Sequence, residues 1–262
     1  MWIPITPSES FPRCSERIKG HMTVHGFVRH SIVVDNRRVF MRAWQDRFRA
    51  PGLTVLLILQ LCLVFVAAPL AAKGLPIARP IIETMVLAVV VIVVMLSHRR
   101  GAIAAILPGL AAMLASILLG SEWSLAAVSV LRHGGYILTF SALIWVLSHV
   151  VYAPGRITFH RLHGAGVLYL NLATIFASAF TLIWELNPAA FANLAPSTGG
   201  PGELATMLYF SLTTLTTTGY GDIVAVDPFA RSFANLEAVL GQFYLAITVA
   251  RLVTLELADR RR

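Results

Sequence analysis

The chain has 262 residues, of which 57% are hydrophobic and 13% charged, with a net charge of +8. A water-soluble domain carries about twice that charged fraction. The composition therefore argues against a soluble enzyme and predicts an integral membrane protein. Two cysteines, Cys14 in a basic arm and Cys62 in an apolar stretch, argue against a disulfide framework or a zinc site.

Residues 1–50 form a basic arm with nine Lys or Arg against four Asp or Glu. It holds no apolar core of signal-peptide length, so no leader is expected. The first 20 residues carry no readable pattern, and Met22 or Met41 is an alternative start. From Asn36 to Arg49, the residues Val39, Phe40, Ala43, Trp44 and Phe48 share one helical face, while most of the arginines lie elsewhere. That pattern fits an interfacial helix on anionic lipid headgroups or a plain cytoplasmic basic flank.

Six apolar spans are predicted, at Gly52–Ala72, Pro80–Ser97, Ala102–Gly120, Leu125–Tyr152, Ala165–Leu186 and Phe233–Leu257. The fourth is long for one crossing, at about 42 Å of helix. Gly134-Gly135 offers a break within it. The third is weak, with Pro108-Gly109 inside. Arg99, Arg100, Arg156, Arg161 and Arg260 to Arg262 follow the even-numbered spans. Lys73, Arg79, Glu122 and a Pro/Gly/Ser-rich stretch from Asn187 to Gly202 lie on the other side. The positive-inside rule then places both termini in the cytoplasm. The expected organisation is a cytoplasmic arm (1–50), a four-span membrane domain (51–155) and a final two-span unit (156–262).

Between the last two spans, Glu203–Thr216 is a mostly apolar helical stretch of about 21 Å, too short to cross a bilayer. It leads into Thr216-Thr217-Thr218-Gly219-Tyr220-Gly221-Asp222. Dehydrating K⁺ requires oxygens that replace its water shell, and a strand whose carbonyls point at one axis supplies them. Such a strand alternates right- and left-handed backbone angles, which Gly219 and Gly221 tolerate.

This stretch resembles the selectivity filter of the potassium-channel pore family. The resemblance covers Ala165 to Leu257. It implies an all-α membrane protein with six transmembrane helices and a re-entrant pore helix and filter between the last two. It also implies that the carbonyls of Thr217, Thr218, Gly219 and Tyr220, with the Thr217 hydroxyl, coordinate K⁺. Gly221 and Asp222 would support the filter. Tyr209 and Phe210 occupy the place of an aromatic cuff around Tyr220, and Tyr209 is placed to bond Asp222. Thr218 departs from the usual Val or Ile, and its hydroxyl needs a partner, with Thr213 and Thr214 as candidates. Ala225 departs from the usual proline, which predicts a less rigid outer mouth.

In the last span, Gly241 stands at the spacing of the family's hinge glycine, but glycine also serves close helix packing. Glu237 and Gln242 compete for the cavity. Five residues turn a helix by about 500°, so both cannot face it. The family pattern favours Gln242, leaving Glu237 against the pore helix or outer helix.

Six spans also resemble the voltage-gated plan, but Arg132 is followed at three-residue spacing by Gly135, Leu138, Ser141 and Ile144, so an arginine ladder is absent. Glu83 is the expected ion-pair partner of Arg132. Few residues follow the sixth span, so no cytosolic ligand-binding domain is expected. The expectation is a homotetrameric K⁺-selective channel subunit, multi-pass in a plasma membrane, with lipid around it. By analogy it is prokaryotic. No cofactor beyond the transported K⁺, no enzymatic activity and no nucleic-acid partner are expected. The rival readings are a weakly selective cation channel, a secondary transporter and a non-conducting membrane scaffold.

Overall fold

The computed structural model describes residues 52–75, 77–97, 100–118, 123–152, 159–197, 200 and 202–260. The interfacial helix expected over Asn36–Arg49 lies outside them, as do the charged residues Arg99, Glu122 and Arg156 and the side chains of Arg79, Glu83 and Arg100. Among the described residues, seven helices run in chain order. They are α1 (Gly52–Ala72), α2 (Ala78–Ser97), α3 (Arg100–Leu118), α4 (Leu125–Val151), α5 (Phe159–Leu186), α6 (Glu203–Leu215) and α7 (Pro228–Arg260). Two two-residue strands, β1 (Phe191–Ala192) and β2 (Val224–Ala225), flank α6. Four helices, α1, α4, α5 and α7, are long and apolar enough to cross a membrane. In α2 and α3 the apolar windows over described residues are shorter, Thr84–Val93 and Ala104–Leu118.

Local chemistry explains the boundaries. In α1, Leu63–Ala67 winds as a π-turn just before Pro69. Proline lacks the N–H that would close the α-helical ladder, and a wider turn absorbs that loss. Ser124 caps α4, accepting from Ala127 N. Asp227 caps α7, accepting from the backbone N–H groups of Phe229 at 2.8 Å and Ala230 at 3.2 Å. Pro228 occupies the first helical turn, where its missing N–H costs nothing. The α7 helix consequently starts five residues before the sequence-predicted Phe233.

Gly134-Gly135 does not break α4, which is one continuous helix of 27 residues. The second glycine is instead a packing site. A methyl group on Gly135 would lie 2.8 Å from Gly109 O of α3, and one on Gly109 would lie 2.3 Å from Thr139 Oγ1 of α4. Two glycines let the helices approach backbone to backbone, as small residues do where apolar helices cross.

Helices α1 to α5 share one apolar core containing Leu56, Val89, Ile106, Phe140, Leu143 and Val167. Gln60 of α1 and Asn171 of α5 are fully buried within the packed helices. They satisfy one another in part, Gln60 Nε2 donating to Asn171 Oδ1 at 2.9 Å. A second cluster stacks Phe180 of α5 edge-on against Phe210 of α6 and Phe191 of β1, centroids 5.0 and 6.0 Å apart. That aromatic wedge seats α6 against α5.

Candidate functional site

The site is the loop Thr216–Asp222, carried on the C-terminal end of α6. Its geometry begins with how the helix stops. The Thr218 N–H donates to Thr213 O at 2.8 Å and the Thr217 N–H to Thr214 O at 2.9 Å. This six-to-one plus five-to-two pairing is a Schellman ending, which requires a left-handed residue at its turn. That residue is Thr217, with φ +57°. Gly219 follows at φ +55° and Gly221 at φ +78°. Left-handed angles thus recur at every second position. Glycine takes them readily, but for a β-branched threonine they are an outlier and store strain. The sequence reading assigned left-handed backbone to the two glycines and missed Thr217.

Side chains then fix the loop from behind. The Tyr209 hydroxyl donates to Asp222 Oδ2 at 2.7 Å. That bond to a carboxylate holds the phenol above its ordinary pKa. The Tyr209 and Tyr220 rings lie parallel, 6.4 Å apart. Phe210 points the other way, into the aromatic wedge with Phe180 and Phe191. The two aromatics expected as one cuff therefore do different things: Tyr209 faces the loop and Phe210 anchors α6.

Thr218 finds its partner within the loop, its hydroxyl lying 2.8 Å from that of Thr216. The expected partners are engaged elsewhere, Thr213 and Thr214 both donating to Phe210 O at 2.9 Å. A threonine bonds back to its own helix readily, which keeps both out of reach.

The loop's return is also held. Phe191 pairs with Ala225 and Ala192 with Val224, antiparallel. Arg231 Nε donates to Ala225 O at 3.0 Å. Ala225, where the family usually carries proline, is thus held by strand pairing.

From α7, Glu237 and Gly241 meet α6 and Gln242 meets the loop. Glu237 is fully buried, its Oε1 within hydrogen-bond distance of Ser211 Oγ of α6. Ser211 is also bonded to Ala173 O of α5, at 2.8 Å. One hydroxyl carries one hydrogen, so both contacts hold together only when the carboxyl supplies the second. This junction ties α5, α6 and α7. Gly241 packs against the last carbonyl of α6: a methyl there would lie 2.3 Å from Leu215 O. The Tyr169 hydroxyl donates to the same oxygen at 3.2 Å. Gln242 is exposed on the single chain and its Nε2 donates to Thr217 Oγ1 at 3.2 Å. Glu237 and Gln242 thus occupy different faces of α7, the first inside the helix packing and the second under the loop.

Arg132 pairs with Glu185 of α5 at 2.8 Å; the side chain of Glu83, its expected partner, lies outside the described residues. His133 Nε2 approaches the same carboxylate at 3.3 Å. The sequence reading missed Glu185 altogether, although it is an acidic residue at the end of an apolar span and so carried a signal.

Compared with known protein families, residues 167–256 match the family described as "Ion channel". The matched stretch runs from α5 through the loop to α7 and lies within the part of the sequence that carries the resemblance. No curated protein and no solved structure matches the chain. The apolar helices support a membrane protein, and its last third is similar to the ion-channel family.

Proposed function

We propose that the protein is a K⁺-selective channel subunit, four copies of which surround one axis. The observation that carries this reading is the left-handed backbone at Thr217, Gly219 and Gly221 within a Thr-Thr-Gly-Tyr-Gly-Asp sequence. Alternating handedness turns successive carbonyls toward one side, as ion coordination requires. Thr217, Thr218, Gly219 and Tyr220 would be the ligands, with Gly221 and Asp222 as support. α6 would be the re-entrant pore helix, its carbonyl end favouring a cation beneath the loop. All of Thr216–Asp222 is exposed on the single chain. One strand encloses nothing, and irregular backbone at membrane depth needs protein walls or a water-filled pore. Three further copies would supply those walls. The exposed apolar face of α7, with Phe233, Leu236, Phe243 and Ile247, gives them and lipid a surface to meet. In this reading the chain crosses a plasma membrane six times with both termini in the cytoplasm, and Gln242 lines the cavity.

The test is a reversal potential in liposomes with K⁺ on one side and Na⁺ on the other. The expected value lies near the K⁺ equilibrium potential; a value near zero would favour a weakly selective cation channel. Gly219→Ala adds a methyl at a left-handed residue, costing roughly 1–2 kcal/mol per chain. Nothing lies within 4 Å of the new carbon, so the protein should still assemble while losing selective current. An unchanged reversal potential in that variant would remove Gly219 from the filter.

A further inference from the structure

Away from the loop, two histidines of α5 converge on one threonine of α1. Thr54 Oγ1 lies 3.1 Å from His160 Nδ1 and 2.9 Å from His163 Nδ1. Residues three apart are neighbours on one helical face, and the two rings meet edge to face, centroids 6.2 Å apart. The helices are packed closely at this level. Gly164, next to His163, faces Leu53, next to Thr54: a methyl there would lie 3.5 Å from Leu53 Cδ1. Gly166 faces Leu57 in the same way, at 3.3 Å. All three polar residues are half-buried and keep surface open to solvent. They sit in the first turns of α1 and α5, at the ends of two apolar spans. A hydroxyl carries one hydrogen, so Thr54 donates to one ring and accepts from the other. Both Nδ1 atoms thus lie within about 3 Å of one point, and imidazole nitrogen suits Zn²⁺, Cu²⁺ and Ni²⁺. Threonine in a helix has two accessible χ1 rotamers, so this hydroxyl can turn aside from the two nitrogens.

We propose that His160 and His163 form a binding site for a borderline-soft divalent cation such as Zn²⁺, on the seam between α1 and α5. Both rings bind as neutral imidazoles through Nδ1, at about 2.0–2.1 Å for Zn²⁺. The ring that carried its hydrogen on Nδ1 takes the Nε2 tautomer on binding. Among the described residues no third His, Cys, Asp or Glu joins the pair, so water completes the shell and the site is an open one. The cysteine count that argued against a zinc site does not bear on it, because its ligands are imidazoles. Arg161 lies between the two in sequence, but a helical step of about 100° turns it off their face. Mg²⁺ prefers a shell of oxygens and is disfavoured here.

The test uses the full chain, without an affinity tag and stripped of metal by a chelator, in detergent at neutral pH. Calorimetric titration with Zn²⁺ should show saturable binding, and with Mg²⁺ none. His160→Gln and His163→Gln should each weaken the tightest Zn²⁺ binding by at least about tenfold, the lower end of what losing even an outer-shell partner costs. His149→Gln is the control. That ring is exposed, with Nδ1 on Trp145 O of its own helix, and its loss should leave Zn²⁺ binding unchanged. A second measurement needs no variant: Cu²⁺ added at one per chain should give an electron paramagnetic resonance spectrum with coupling to two nitrogens. Absent Zn²⁺ binding, equal Mg²⁺ binding, or equal Zn²⁺ affinity in the control and both α5 variants would overturn the site. A Cu²⁺ spectrum with oxygen ligands alone would overturn it too. No current is read, so failure here leaves the channel reading standing, and a non-selective reversal potential leaves this site standing.

Discussion

Gly241→Ala sets two effects against each other, and the structure decides between them. Alanine raises helix propensity by about 1 kcal/mol over glycine. The new methyl, however, would sit 2.3 Å from Leu215 O and 3.2 Å from Leu215 C. This obstacle is backbone at the end of α6, held further by the Tyr169 hydroxyl, so it cannot rotate aside. To restore ordinary contact, α7 and α6 must separate by about 1 Å, and overpacking of this kind costs roughly 1–3 kcal/mol. The same movement lengthens the Gln242–Thr217 bond, already 3.2 Å. The clash should prevail, with a net loss of up to about 2 kcal/mol per chain and disturbance of the loop. Gly134 supplies the control, being mid-helix with nothing within 4 Å of an added methyl. Thermal unfolding in detergent and K⁺ flux in liposomes should show Gly241→Ala less stable and less conductive, and Gly134→Ala neutral or more stable. Equal stability and flux in the two variants would refute the close approach. It would return Gly241 to the role of a hinge that needs no contact.

Tyr209→Phe removes the hydroxyl bonded to Asp222 while keeping the ring against Tyr220; K⁺ current should become less sustained in prolonged recordings, with assembly unaffected on gel filtration. Glu237→Gln supplies an N–H toward Ser211 and should keep assembly and flux, whereas Glu237→Ala should lower thermal stability by roughly 1–3 kcal/mol through the lost bond and the space left. Indistinguishable melting of those two variants would show that the three-helix junction does not depend on that bond. Arg132→Gln leaves Glu185 without its guanidinium partner. It should cost about 2 kcal/mol, below the range for fully buried pairs because Arg132 is partly exposed. Because Arg132 is held by Glu185, open probability in symmetric K⁺ should change shallowly with voltage, and a steep curve that flattens in Arg132→Gln would overturn that assignment.

The features readable from sequence were those set by local pattern. Apolar runs placed the helices, and the short run before Gly-Tyr-Gly-Asp placed α6 within a residue of its observed end. Glu185 carried a signal as an acidic residue ending an apolar span, but nothing in that signal says that it meets Arg132, which lies 53 residues away. An apolar pattern gives the facing side of a helix but not the helix it faces. Gly134-Gly135 misled for a related reason. Glycine both weakens an isolated helix and permits two helices to touch, and only the crossing with Gly109 distinguishes these. The left-handed Thr217 runs against the preference of any β-branched residue. It was hidden because the Schellman ending of α6, not the residue itself, demands that angle. The strand pairing at Ala225 was invisible because the bonds holding strand to strand are made by backbone.

Several of the polar contacts gather at one place. α6 and its loop are bonded on several sides. Ser211 joins Ala173 and Glu237, Tyr169 meets Leu215, Gln242 meets Thr217, and Tyr209 meets Asp222. A 13-residue helix contributes about 20 Å of length and a narrow apolar face. In an apolar surround, packing alone gives such a helix little preference for one depth or rotation, since neighbouring chains of Leu and Val are as greasy as lipid. Hydrogen bonds are directional, and losing one there leaves a polar atom without water to replace it. Bonds to α5 and α7 therefore fix the depth and rotation of α6, and the Schellman ending converts that placement into the backbone angles of Thr217 to Gly221. The strain at Thr217 persists because these contacts over-determine the turn, which is the condition under which a disfavoured backbone angle is retained.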